Sequence, residues 1–562
     1  MVMQHNFKKM FLKYGEDAAG AVCPNFLPSP RAEWKRDRDH LFTGFVRVNP
    51  DAMRRGAHPK PRNLLLNRYS ARIIPFLKWL GLILLLFVGG SCSEDPSREP
   101  APLARVGNRV IDWRMLQRSF HLEPHWHRGI SYRVAYFTQL DYLIEQKLFA
   151  QQAEALGLDA EEPVAGILQA NREKEMIKEL YRQEVASRVT ITEEEYRAAY
   201  QRAKKKVKLE FVYTPDSSRA ALYAGKLLTT PMEQLPLYSP ADQKGTTPLF
   251  SFGDMAPEVE AVAFDMEPGE VRGPIRVKGR FMVIKLIDGE VDKFLSETDF
   301  AQQKSKIHKV LFERRARRIS REYLHRVLRN KGVHINPPVF RALQEQFSRV
   351  MHNKTSDTPF PIYLNDQELD RARTQLEDLR DAVLVTFKGG EFTVGDFLRH
   401  LWYTPSSVRP QVNLAPQLKK AIAVMVRNYY LAQEAYRRGL DRSPRVAYEV
   451  QAENDRVLAE YYLKKVRQEI TVTPEEISRF MREESFTALN REWEGELDTA
   501  AARAMLREYK FSLRRQELAD SLRNLFPVQV DTTGLLSHIP DPDQPVSEKP
   551  IPVAYIDQFY IY

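Results

Sequence analysis

Apolar positions in this chain fall into two stretches of helical period, and a short extended segment introduces each of them. In the first, LARVGNRVI (103–111) alternates around a Gly-Asn turn, and Leu140, Leu143, Ile144 and Leu148 then recur at the spacing of one helix face. AQQAEALGLD (150–159) ends that helix at Gly157, a long charged helix follows, and TITEEEYRAAY (190–200) opens another. In the second stretch, LVTFKGGEFT (384–393) leads into a further helix-period segment, then AQEAYRRGLD (432–441), a charged helix, and TVTPEEISRFM (471–481). One local logic governs both. A glycine ends the amphipathic helix, since a residue without Cβ takes the left-handed turn at least cost. A threonine followed by acidic residues starts the last helix, accepting a backbone N–H and complementing the helix dipole.

Spacing turns this likeness into a repeat. Val110 to Phe392 and Gly157 to Gly439 are each 282 residues apart, and Thr192 to Thr473 is 281. LRNKGVHIN (328–336) resembles LRNLFPVQVD (522–531), each behind an Arg-rich helix, yet Val333 to Val528 is only 195. The second copy therefore lacks about 86 residues, lying between 205 and 291 of the first. That is the size of one small inserted domain.

The insert has its own pattern. VKLEFVY (207–213) alternates as a strand, and 256–286 read APEVEAVAFDMEPGEVRGPIRVKGRFMVIKL. The stretch Glu267–Val271, the pair Gly273-Pro274 and the closing strand 283–286 resemble the C-terminal half of a parvulin-type prolyl isomerase. The flanking repeat resembles the chaperone module of SurA, PrsA and related periplasmic folding factors, over 103–340 and again over 384–535. The resemblance implies a helical module built from both ends of its segment, with the parvulin domain held between its parts.

It also implies a proline pocket, onto which Phe252, Met255 and Phe264 map, and a histidine in each of two strands. Phe211 and Met282 stand at the histidine positions, and no histidine occurs from 128 to 307. TTPLFSF (246–252) stands where the family has a glycine-rich turn. Prolyl isomerisation needs no nucleophile or general base. Its barrier, about 18–20 kcal/mol, is lowered by complementarity to the twisted amide. Losing the histidines thus shifts the expectation from catalysis to binding, with an active isomerase as the alternative.

An apolar run, WLGLILLLFV (79–88), follows Arg68, Arg72 and Lys78 and precedes Gly89, Gly90, Ser91 and Cys92. Basic residues, a short apolar core and small residues at the exit make a secretory signal. The cysteine behind them resembles a lipobox, which implies lipidation at Cys92. An uncleaved helix over Ile73–Gly90, barely long enough to span, is the alternative. Cys23 and Cys92 are the two cysteines, so no disulfide framework or thiolate metal site can form. His121, His125 and His127 cluster, but Pro124 breaks any shared helix face, and a polar loop explains them.

Net charge changes the picture only locally. The chain carries +10, but residues 1–91 hold 15 Lys+Arg against 6 Asp+Glu, leaving 69 against 68 for the remainder. No basic domain face for nucleic acid is indicated.

These readings define an α+β protein with two mainly helical SurA-N-like modules, the first interrupted by a parvulin-like domain. Residues 1–71 are a disordered or mis-started extension, and 72–92 the lipoprotein signal. The first module spans 93–204 and 292–345 around a degenerate parvulin domain at 205–291. The second spans 346–537, and 538–562 form a Pro/Asp-rich tail ending in alternating aromatics. The expected function is a membrane-anchored periplasmic holdase, with Phe211, Phe252, Met255, Phe264 and Met282 as candidate client-binding residues. Its partners are unfolded polypeptides and, through a lipid anchor, the membrane, the outer one favoured. No cofactor, metal or nucleic acid is called for. A structural lipoprotein subunit of an envelope complex is a further alternative.

Overall fold

The computed structural model describes residues 101–126, 129–292, 296–351, 364–482 and 498–546. The described chain is α+β, mostly helical with three small antiparallel sheets. The extension at 1–71, the segment 72–92 expected to be a signal, Cys92, His127 and the tail beyond 546 lie outside the described residues. The described residues divide into two compact units, one with 470–482 and 498–513, the other with the described parts of 102–469 and 514–546.

In the larger unit the first copy opens with β1 (Pro102–Val106) and β2 (Arg109–Asp112), turning at Gly107, φ +54°. Helices α1 (Trp113–Leu122), α2 (Tyr132–Ala155), α3 (Val164–Glu184) and α4 (Glu193–Ala203) follow. The insert contributes β3 (Lys205–Thr214), α5 (Ser217–Thr229), β4 (Gln243–Thr246), α6 (Pro257–Ala263), β5 (Val271–Val277) and β6 (Arg280–Val291). Helix α7 (Glu297–Leu328), β7 (His334–Ile335) and α8 (Pro337–Val350) close the copy.

The second copy follows α9 (Asp366–Gln375) and has the same order without the insert. It runs through β8 (Val383–Phe387), β9 (Gly390–Thr393), α10 (Val394–Tyr403), α11 (Ala415–Arg437) and α12 (Pro444–Glu469). Then come α13 (Pro474–Arg482), α14 (Thr499–Leu525), β10 (Val528–Val530) and α15 (Thr532–His538).

Local chemistry repeats atom for atom. Gly157 and Gly439 sit at φ +71° and +70°. Thr192 Oγ1 accepts from the Glu195 N–H at 3.2 Å while Glu195 accepts from the Thr192 N–H at 2.9 Å. Thr473 and Glu476 form the same reciprocal pair at 3.3 and 2.9 Å. Each cap is clamped by a cation from the following long helix. Arg315 donates to the Thr190 carbonyl and to Glu195, and Lys510 donates to the Thr471 carbonyl and to Glu476.

The sheets are not built as two self-contained modules would require. β10, from the end of the second copy, pairs with β1 of the first, with Ala104 opposite Val530 and Val106 opposite Val528. β7, from the end of the first copy, pairs with β8 of the second, with His334 opposite Thr386. The closing strands are exchanged, so the boundary expected near 345 divides the sequence but not the sheets. The sequence identifies each closing strand by its own pattern. It carries no information on which of two equivalent hairpins that strand completes.

Cores follow the exchange. Leu343, Phe347 and Met351 from α8 and the turn after it pack with Leu384, Phe397, Leu401, Leu418 and Ile422 of the second copy. A further cluster joins Met176, Leu180 and Tyr181 of α3 and Tyr323 of α7 to Leu431, Ala435, Val446 and Val450 of α11 and α12. In the smaller unit, α13 and the start of α14 share Ile477, Phe480, Ala502 and Tyr509.

Candidate functional site

The insert's sheet has the order β4-β3-β6-β5, antiparallel throughout. Strand alternation gives it two apolar faces. On one face Val212 and Val283 pack under α5 with Ala220, Tyr223 and Leu227. A polar plug seals the end of that face. Asp242 accepts from Thr214 Oγ1 at 2.6 Å and Tyr223 Oη at 2.9 Å, with the Arg219 guanidinium 3.2 Å away. Burial alone would raise the Asp242 carboxyl, but these donors and the cation together hold it below its ordinary value.

All five candidate client-binding residues belong to the other face. They share it with Val207 and Leu209 of β3 and Ile284 and Leu286 of β6. Phe252, Met255 and Phe264 are buried, at 4, 8 and 5% exposure. Phe211 and Met282 are half-buried. The burial has a plain cause. Tyr200 of α4 and Phe300 and Ile307 of α7 enter the same cluster, so the helices flanking the insert cover much of this face.

Segment 250–266 is fastened onto α7. Arg314 grips Glu260 through both carboxylate oxygens, at 2.8 and 2.7 Å, and lies 4.9 Å over the Phe252 ring. Glu260 also accepts from the Gly253 N–H at 2.9 Å. Lys205 donates to the carbonyls of Phe264 and Met266. Phe252, Met255 and Phe264 therefore act as core residues here. The sequence mapped them by family pattern, which marks apolar positions but not which of them a neighbouring helix covers.

The face stays partly open elsewhere. Tyr213, Met282 and Ile275 are half-buried cross-strand neighbours on β3, β6 and β5. Tyr213 donates to the Val277 carbonyl at 3.0 Å, and the Arg280 guanidinium lies 4.7 Å over its ring. Phe211 is opposite Gly245 on β4, where an added Cβ would come 3.2 Å from its ring. Tyr213 and Ile275 were missed as candidates. The alternation that puts 207, 209 and 211 on one face extends to Tyr213 and contained that signal.

A cavity of about 210 Å³ lies beside this cluster rather than over the sheet, between α4 and α7, lined by Ile191, Glu195, Leu311, Arg314, Arg315 and Arg318. Among the described residues no group of three His, Cys, Asp or Glu side chains could hold a metal ion. No helix among them is long and apolar enough to cross a membrane.

Residues 191–295 match the family model of the PPIC-type PPIASE domain. The matched range begins at the α4 cap and takes in every strand of the inserted sheet. The chain therefore carries a parvulin-type domain of the prolyl-isomerase family, the family its 256–286 pattern resembles. No curated protein matches the chain. Among solved structures it is similar to the peptidylprolyl isomerase PrsA of Bacillus anthracis, at 18% identity over 33% of this chain and 96% of that one, TM-score 0.20. A chain from the Campylobacter jejuni pair PEB4 and Cj1289, described as SurA-like chaperones, is similar at 14% identity over 42% and 100%, TM-score 0.19. PrsA of Bacillus cereus is similar at 15% over 50% and 100%, TM-score 0.19. The family model, not these likenesses, carries the assignment.

Proposed function

We propose that this chain is an envelope folding factor that holds extended, unfolded polypeptides, with its parvulin domain binding rather than turning over prolyl bonds. The observation that carries this reading is the covered face. Phe252, Met255 and Phe264 are buried in a cluster that also holds Phe300 and Ile307 of α7, and neither strand histidine is present. A transition-state site needs an open pocket complementary to the twisted amide. What remains open is the apolar row Tyr213, Met282 and Ile275, suited to weak contact with many sequences.

On this reading the clients are exported proteins, and Cys92 anchors the mature chain by lipid, with the outer membrane favoured. The chaperone segments 93–204, 292–345 and 346–537 bind these clients. Two assays test the proposal. The protein should suppress aggregation of a reduced, unfolded client at near-equimolar ratio. It should leave the slow phase of a proline-limited refolding reaction unchanged at substoichiometric concentration. Acceleration of that phase would overturn the non-catalytic assignment. Mass spectrometry of the mature N-terminus tests the anchor, the expected species being a diacylated or triacylated Cys92.

A further inference from the structure

The first copy contains an aromatic nest that the second lacks. Phe120 stacks 4.0 Å from Tyr136 and 4.7 Å from Trp126, Trp113 lies 5.1 Å from Tyr136, and Tyr132 borders the same group. At the 281 offset of the helix N-caps Asp112 and Thr393, Val394 and Leu401 stand in the places of Trp113 and Phe120, and at the 282 offset of Gly157 and Gly439, Leu414 and Leu418 stand in those of Tyr132 and Tyr136. Aliphatic side chains satisfy the shared fold, so the fold does not require the aromatics.

Residues 538–546 lie against this nest. His538, the last residue of α15, stacks on Trp113 at 5.0 Å. Ile539 and Val546 are buried. Between them the attachment is mainly through backbone. The Tyr132 and Arg133 N–H groups donate to the carbonyls of Gln544 and Pro542 at 2.9 and 2.8 Å, and the Val546 N–H donates to the Ile130 carbonyl at 2.8 Å. Ser131 and Pro545 form an antiparallel bridge. Tyr132 and Arg133 begin α2, where N–H groups have no partner within the helix. The ion pair between Arg133 and Asp543, at 3.2 Å, is exposed and adds little.

Recognition of this kind reads an extended backbone and a few side-chain pockets, and aromatic-lined grooves suit proline-rich segments. The strap Ile539–Val546 carries Pro540, Pro542 and Pro545. We propose that the aromatic nest and the start of α2 form a docking site for extended, proline-containing polypeptide. Residues 539–546 occupy it in cis as a built-in competitor. The inference rests on the reading of the chain as a binder of unfolded polypeptides. A tethered segment presents itself at an effective concentration on the order of millimolar. Weak single contacts therefore fail to displace it, and clients with several prolines or with anchors elsewhere succeed.

The test uses a fluorescein-labelled peptide, Ile-Pro-Asp-Pro-Asp-Gln-Pro-Val, read by anisotropy. Ser131→Cys with Pro545→Cys, in the full chain with Cys23→Ser and Cys92→Ser, allows the strap to be locked by oxidation and freed by reduction. We expect at least tenfold weaker peptide binding when locked. Truncation after His538 should bind the peptide at least tenfold more tightly than the full chain, and alanine at the second and third prolines of the peptide should weaken it several-fold. Equal binding by the locked and freed forms overturns the proposal, and so does a truncated protein with native circular dichroism that ignores the peptide. The locked and freed forms are one chain, so this comparison decides even if truncation impairs folding. Client aggregation is followed separately with the freed full chain. Failure there, with peptide exchange intact, refutes the holdase reading and leaves the docking site standing.

Discussion

The two copies share a skeleton but hold it together with different chemistry. In the first, Gln151 on α2 reaches the hairpin turn, donating to the Val106 carbonyl at 3.0 Å and accepting from the Asn108 N–H at 3.2 Å. In the second, phenols on α11 do that work, Tyr430 donating to the Lys388 carbonyl at 2.6 Å and Tyr429 to that of Gly389 at 3.4 Å. The first hairpin is also held by Asp455 on α12 of the second copy, buried between Lys147 at 2.6 Å and Arg109 at 3.0 Å. The corresponding positions are Gly390, Tyr429 and, on α3 of the first copy, Glu173, and the second hairpin rests instead on Phe387, Phe392, Tyr429 and Tyr430, with ring centroids 5.0–5.8 Å apart. Duplication preserved the backbone problem and left each copy free to solve it with a different side-chain set.

The largest test of that contrast is Asp455→Ala. It leaves Lys147 and Arg109 buried without their shared carboxylate, and we expect a loss of about 3–5 kcal/mol by denaturant unfolding. Replacing all three residues by apolar ones of similar volume should restore most of it, since the desolvation cost leaves with the charges. If Asp455→Ala proves neutral, the ionic lock is not what distinguishes the first copy. The aromatic counterpart is milder. Tyr430→Phe removes one hydrogen bond and keeps the ring packing, for a cost of about 1 kcal/mol.

Caps sharpen the comparison because they are the same in both copies. Thr192→Ala and Thr473→Ala should each cost about 1 kcal/mol. A large inequality between them would show that the insert reinforces the first cap. The clamps Arg315→Ala and Lys510→Ala touch glutamates about a third exposed, so solvent screening keeps each loss smaller than that of the cap it supports.

The smallest effect is in acid. Hydrogen bonds from Lys204, Tyr200 and Gln303 hold Asp299 down to about 2. A carboxylate depressed in the folded state stabilises above its unfolded value of about 3.9 and loses that contribution as pH falls towards 2. Acid titration followed by near-ultraviolet circular dichroism should show a step in this window that Asp299→Asn removes.

Much of this was legible in the sequence because it is local. Helix period, glycine ends and threonine caps depend on residues three or four apart, and two offsets exposed both the repeat and the insert. The candidate proline pocket was legible only in part. Resemblance mapped Phe252, Met255 and Phe264 to a proline pocket and Phe211 and Met282 to the histidine positions, and the structure gathers all five in one cluster. Their exposure depends on Phe300 and Ile307, which are remote in sequence and carry no mark of their target.

The sequence by itself determined the two copies, the inserted parvulin-type domain, the absence of its histidines and the caps that bound the helices. Tertiary structure alone decided that closing strands β7 and β10 trade partners, that Phe300 and Ile307 of α7 join the cluster of candidate client-binding residues, and that the proline-bearing strap lies against the first copy's aromatic nest. The reason is physical. A strand of two or three residues specifies its own pairing geometry, but two hairpins of the same design compete for it. Which one wins depends on the packing of α3, α7, α11 and α12, a sum over contacts that no short stretch of sequence displays.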